Sequence, residues 1–309
     1  MKVLIAVDGS PCSDVAVDLV GGLDWPEGST LRLVSALDTV RLAGPWAGLA
    51  PMDLSEVETA LAGDLKVMLA RVAARLQGKG RAVEYRAVLG RAADAILDQA
   101  DDFGPDLVVV GSRGHGPMRT LLLGSVSAEI VDHAPCPVLV ARSSELSRVV
   151  LAHDGSAQAR MAEDVLAEWP VFAGRPVEIL SVARLHSSMP DPLAPGSQEE
   201  AAEAYRQAVT DQRQRHEDIA RASADRLRNH GLEAEWDVRA GDPAHVIIEE
   251  AESRHADLVV VGTHGRTGLD RIVLGSVAHN VLTHAHCSVL VVRCLAPVTT
   301  PGESAQSGA

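Results

Sequence analysis

The chain has 309 residues, 46% of them apolar, enough for two globular domains that fold without disulfide staples. Its 28 basic and 42 acidic side chains give a formal net charge of −14, which argues against nucleic acid or an anionic membrane surface as a partner. A small phosphate ligand in a local pocket stays open, and no run of about 18 apolar residues marks a membrane span.

In chain order, residues 2–7 are a short apolar run stopped by Asp-Gly-Ser, which reads as a first strand. A helix is predicted from about Ser13 and a second strand over 30–37. A loop rich in Gly and Pro (LAGPWAGLAP) follows. Leu54, Val57, Leu61, Leu65, Met68, Val72 and Leu76 then recur at helical spacing, with Asp53 or Ser55 as the cap. A third strand is predicted over 82–89 and a helix over 91–101. Residues 107–110 are apolar on both faces, as central parallel strands are. The last helix starts near Gly124 and the fifth strand covers Val138–Ala141.

The order then repeats. VLIAVDGS returns as VVLAHDGS 146 positions on, and DLVVVGSRG returns as DLVVVGTHG 151 positions on. The five extra residues are expected in the variable middle loop. The second long helix is expected over 198–229, with His216 on its inner face as a packed or half-buried histidine. The expected fold class is α/β, in two repeated domains, each an open five-stranded parallel sheet with helices on both faces. The domains are expected at 1–145 and 146–294, divided near the polar run 143–147, with a disordered tail at 295–309.

Each copy carries G-x2-G-x9-G-S: GSRGHGPMRTLLLGS at 111–125 and GTHGRTGLDRIVLGS at 262–276. A glycine at a strand end lets a backbone or ligand come close, and a helix opened by Gly-Ser offers N–H groups to an anion. The pattern suits a polyphosphate lying between the two glycine clusters. It is neither a P-loop nor the GxGxxG fingerprint. Asp8 and Asp154 read either as turn residues capping a helix or as acceptors for a ribose hydroxyl or adenine amine. Arg113, His115, His264 and Arg266 read either as solvated loop charges or as phosphate contacts. Cys12, Cys136, Cys287 and Cys294 form no CxxC pair, so reduced thiols and a cytoplasmic location are expected. The opening MKVLIAVDGS is too short an apolar run for a signal peptide. The run HAHC does not have zinc-site spacing, so no metal ligands are assigned.

The two DGS turns, the two glycine motifs and the HAPCPVLV ending resemble the universal stress protein family in its tandem form, over about residues 1–294. The resemblance implies the fold of that family, akin to the adenine nucleotide α-hydrolases, and a bound ATP, with or without Mg²⁺. It implies that Ala6, Asp8 and Ala36 meet adenine and ribose, Val110 and Gly111 the ribose side, and Gly114, Gly124, Ser125 and Val126 the triphosphate. The matching positions are Ala152, Asp154, Val182, Val261, Gly262, Gly265, Gly275, Ser276 and Val277. It further implies a nucleotide-dependent stress-response or regulatory protein with one site per domain and no assigned catalytic residue. The alternative is a slow ATPase or nucleotidyl-transfer enzyme in the same crevice. The domains are expected to pair within the chain through their last strands, and a homodimer stays open. Two departures stand out: Ser288 replaces Pro137, and His153 replaces Val7.

Overall fold

The computed structural model describes residues 1–38, 54–78, 80–114, 123–184, 198–263 and 274–293. The first copy supplies β1 (Lys2–Ala6), β2 (Thr30–Leu37), β3 (Ala82–Leu89), β4 (Leu107–Gly111) and β5 (Val138–Ala141). The second supplies β6 (Val149–Ala152), β7 (Pro176–Ala183), β8 (Glu233–Ala240), β9 (Leu258–Gly262) and β10 (Ser288–Val292). All ten strands form one sheet in the order β3-β2-β1-β4-β5-β10-β9-β6-β7-β8. Every pairing inside a copy is parallel. Among these ten strands the one antiparallel pairing joins β5 to β10 and makes the two copies one sheet, the intramolecular pairing expected of their apolar last strands.

Helices cover both faces. They are α1 (Pro11–Gly22), α2 (Leu54–Leu76), α3 (Ala92–Phe103) and α4 (Ser125–His133), then α5 (Ala157–Glu168), α6 (Gln198–Asn229), α7 (Pro243–Ser253) and α8 (Ser276–His284). Successive strand residues point to opposite faces, so each strand feeds two cores. Val3, Ile5 and Leu139 pack with Leu19 of α1 and Leu69 of α2. Leu4, Val108 and Val110 pack on the other face with Ile96 of α3 and Ile130 of α4. Both cores run on without a break into the second copy.

Local chemistry sets the helix starts. Ser10 Oγ accepts the Ser13 N–H at 3.2 Å and Pro11 opens α1 with its fixed φ, so the helix begins earlier than the apolar pattern predicts. Ser156 repeats the cap on α5, accepting from Ala159 N at 3.1 Å. Leu37 and Ala183 end the second strands of the two copies, 146 positions apart, whereas Ala82 and Glu233 open the third strands, 151 apart. The five extra residues therefore fall between those strands. There α6 has 32 residues against 23 in α2, so the long helix shares in the growth. The Gly/Pro-rich loop, Asp53, Cys294 and the 295–309 tail lie outside the described residues.

Ser288 explains one departure between the copies. Its Oγ accepts the N–H groups of Arg142 at 3.1 Å and Ser143 at 3.3 Å, tying the end of β5 to the start of β10. A proline there would offer no hydroxyl. Arg142 reaches over the same seam and donates to the Cys287 carbonyl at 3.2 Å and to the Leu282 carbonyl. Burial pushes its guanidinium down to about 10.

Candidate functional site

At the carboxyl ends of β6, β7 and β9 lies a cavity of about 330 Å³, within the size range of small-molecule sites. It sits where the strand order reverses, the usual ligand position in an open parallel sheet. Its lining includes Ala152, Asp154, Val182, Val261, Gly262, Gly275, Ser276 and Val277. These are the second-copy positions singled out from the sequence, apart from Gly265, which lies outside the described residues. Ser276 and Val277 open α8, whose N-cap Gly275 gives it no side-chain cap. The first N–H groups of a helix have no intrahelical partner, and that end carries partial positive charge. An uncapped helix start facing a cavity is a ready anion site.

One wall is polar. His153, Arg184, Gln212 and His216 line it. Gln212 donates to the Arg184 carbonyl at 2.8 Å and holds α6 over the end of β7. His216 is 5% exposed, and its Nδ1 stands 2.8 Å from the Ser181 hydroxyl. That hydroxyl donates to the His153 carbonyl at 2.7 Å, so it accepts from His216, whose proton then sits on Nδ1. His153 is buried as well: its Nε2 lies 3.1 Å from Glu163 Oε2, and its Nδ1 accepts the Gly155 N–H at 3.2 Å. The opposite wall is apolar, with Leu180, Pro243 and Ile247.

The first copy brings its own positions together. Ala6 ends β1 beside Val34, two residues before Ala36. Val110 and Gly111 end β4 next to them. Gly114 abuts Asp8, since a Cβ on that glycine would fall 2.4 Å from Asp8 Oδ2. Gly124 donates its N–H to the Ser112 carbonyl at 2.7 Å, closing the glycine motif on itself. Ser125 and Val126 then open α4, which has no side-chain cap either. Gly275 N bonds Thr263 O at the same 2.7 Å, so the closure is common to both copies.

The structure gives the motif's first glycine a reason that lies outside the crevice. A Cβ on Gly111 would sit 2.7 Å from the Cys12 carbonyl, and one on Gly262 2.8 Å from Gln158. Both glycines let the first turn of a helix press on a strand end. Both aspartates serve their turns: Asp8 Oδ1 accepts Ser10 N and Asp154 Oδ1 accepts Ser156 N, each at 2.9 Å. The helix caps themselves are Ser10 and Ser156. Arg113 is exposed, and its carbonyl accepts Ser10 Oγ at 3.4 Å. His115, His264 and Arg266 lie outside the described residues. The sequence reading named His153 and His216 but did not bring them together in one wall with Arg184 and Gln212. Two replacements between copies signalled it, Val7 by His153 and Val17 by Glu163.

Residues 1–142 and 145–293 each match the family model described as the universal stress protein family. A universal stress protein of Methanocaldococcus jannaschii is 52% identical over 63 residues, 20% of this chain and 37% of that protein. One from Mycolicibacterium smegmatis is 27% identical over 299 residues, 94% of this chain and 96% of its own length. The crystal structure of a universal stress protein from Archaeoglobus fulgidus superposes with a TM-score of 0.63 at 18% identity, covering 94% of this chain and 98% of that one.

Proposed function

The chain belongs to the universal stress protein family, and from that premise we propose that it is a nucleotide-binding regulatory protein with an ATP site in each copy. The observation that carries this reading is the second-copy cavity, where the uncapped start of α8 and the Asp154 carboxylate share one lining. The helix start suits a phosphate chain, and the carboxylate suits a hydroxyl or amine donor. The apolar wall of Leu180, Pro243 and Ile247 suits the face of a base. Adenine as that base follows from the family resemblance, since the glycines speak only for phosphate. The first copy repeats the helix start and the aspartate beside its glycine motif, which supports a second site of the same kind. Mg²⁺, where it accompanies ATP, would enter with the phosphates.

Calorimetric titration of ATP with Mg²⁺ into nucleotide-stripped protein tests the reading, with Ser125→Asp and Ser276→Asp alongside. An acid at the first position of a helix suits its dipole, so both variants should fold while repelling a phosphate. Two sites in the parent and one in each variant are expected. A bound ligand at a hundred times its dissociation constant should add about 2.7 kcal/mol per site to stability. No heat and no thermal shift with ATP, ADP or AMP would remove the reading.

A further inference from the structure

We propose that His153 and Glu163 form a positioning pair that sets the Asp154 turn and makes the second crevice, unlike the first, sensitive to acid. The proposal rests on the nucleotide reading only in taking Asp154 as a ligand contact.

The pair is a matched replacement. Val7 and Val17 are 4% and 1% exposed in the first copy, and His153 and Glu163 are 4% and 2% exposed in the second. A buried imidazole or carboxylate alone would be costly, and the two stand 3.1 Å apart, Nε2 to Oε2. The Gly155 N–H bond fixes the tautomer. Nδ1 must present a lone pair to accept it, so the ring proton sits on Nε2, the nitrogen 3.1 Å from Glu163 Oε2.

A second proton on His153 has to occupy Nδ1. It would meet the Gly155 N–H head-on, two donors with no acceptor between them. Glu163 lies on the other side of the ring, 3.1 Å from Nε2, and makes no clash with the new proton, so the turn is what gives way. Gly155 holds φ at +83° in that turn, between Asp154 and the Ser156 cap. Its opening displaces Asp154 from the cavity lining. In the first copy Asp8 makes the same bond to Ser10 N, but Val7 has no proton to gain.

The other charged and titratable groups around His153 come from each element packed on it. Asp154 lies on its own turn. On α5, Asp164 sits beside Glu163. From α6, Arg226 Nε approaches Glu163 Oε1 at 3.1 Å and its Nη2 reaches Asp164 at 2.7 Å. His216, also on α6, joins the His153 carbonyl through Ser181.

Two measurements test the pair. The first uses the unsubstituted, ligand-free chain and follows amide resonances from pH 8 to 5.5. The Gly155 amide should shift as the pH falls while Gly9 stays still, and a Gly155 amide that does not move overturns the proposal whether or not ATP binds. The second compares ATP affinity in Ser125→Asp, which leaves the second crevice, with Ser276→Asp, which leaves the first. Protonation of ATP itself acts on both, so their ratio isolates the protein. That ratio should fall about tenfold from pH 7.5 to 5.5, and His153→Val/Glu163→Val, which rebuilds the first-copy pair, should flatten it. A flat ratio in the parent background, or a fall that survives the double substitution and so belongs to His216, overturns the proposal. Absence of ATP binding at pH 7.5 would remove the nucleotide reading and leave the amide titration to decide the pair.

Discussion

Leu139 in β5 lies directly opposite Leu290 in β10, and each is the repeat equivalent of the other, 151 positions apart. The local two-fold relating the copies therefore passes through this pair. Both side chains belong to the same continuous core, 3% and 1% exposed. Leu139→Ala and Leu290→Ala should each destabilise the chain by about 2–4 kcal/mol. The double variant should depart from additivity by at least 0.5 kcal/mol, as contacting residues do. Urea unfolding of the four chains checks this, and strict additivity would mean that the copies meet without supporting one another here.

Gly111 is expected to be intolerant for a packing reason. An added methyl would stand 2.7 Å from the Cys12 carbonyl, and backbone cannot step aside as a side chain can. Gly111→Ala should cost about 1–3 kcal/mol. At Gly124 the nearest atom to an added methyl is Arg113 Cα at 3.3 Å, so Gly124→Ala should cost less. Equal midpoints in urea for the two variants would contradict the assignment.

Around Arg254 three carboxylates gather from β7, β8 and α7: Glu178, Asp237 at 2.6 Å and Glu250 at 2.6 Å. Burial alone would raise the Glu250 pKa, but hydrogen bonds from Arg239 and Arg254 outweigh it and hold it below its ordinary value. A depressed carboxylate adds stability above its unfolded pKa, about 4.3, and loses it as pH falls through the folded value. Glu250→Gln should thus cost about 1–2 kcal/mol at pH 7, and the cost should shrink steadily as pH falls below about 4.3. Glu178 runs the other way: burial raises it despite Arg254, so it gains its proton early and favours the folded state in acid. Thermal melts of Glu250→Gln and the parent across pH 3–7 read the difference directly.

Burial pushes the Cys136 thiol up to about 12 and the Cys287 thiol up to about 11. At pH 8 a thiol near 12 is about one part in ten thousand thiolate, the reactive form. Iodoacetamide on the native chain should therefore modify the half-buried Cys12 well before Cys136. Peptide mass spectrometry gives the order, and labelling of Cys136 as fast as Cys12 would show that the core around it opens readily.

Most of the frame was legible because it is local. The run 107–110 is apolar on both faces and forms β4, an interior strand with neighbours on both sides; the 3.6-residue pattern from Leu54 forms α2. The first glycine of each motif ends its strand at the carboxyl rim, as its place after an apolar run indicated, and the last strands met as their apolar edges required. What stayed hidden is tertiary. His153 and Glu163 are ten residues apart on different elements, and His216 is further still. Only the fold shows that Ser181 links His153 to His216. Close backbone approach was one reading of Gly111, but its partner was hidden, because Cys12 is remote in sequence and its carbonyl carries no residue signature.

The antiparallel pairing at β5–β10 has a consequence for whatever reads this molecule. Strands of the two copies run in opposite senses, so their carboxyl ends, and with them the second-copy cavity and the first-copy glycine motif, lie on opposite rims of the sheet. A partner seated on one rim touches the loops of one copy and only the floor of the other. Two occupied crevices would thus present two separate messages, addressed in opposite directions, and a listener to both would have to grip the sheet from either side.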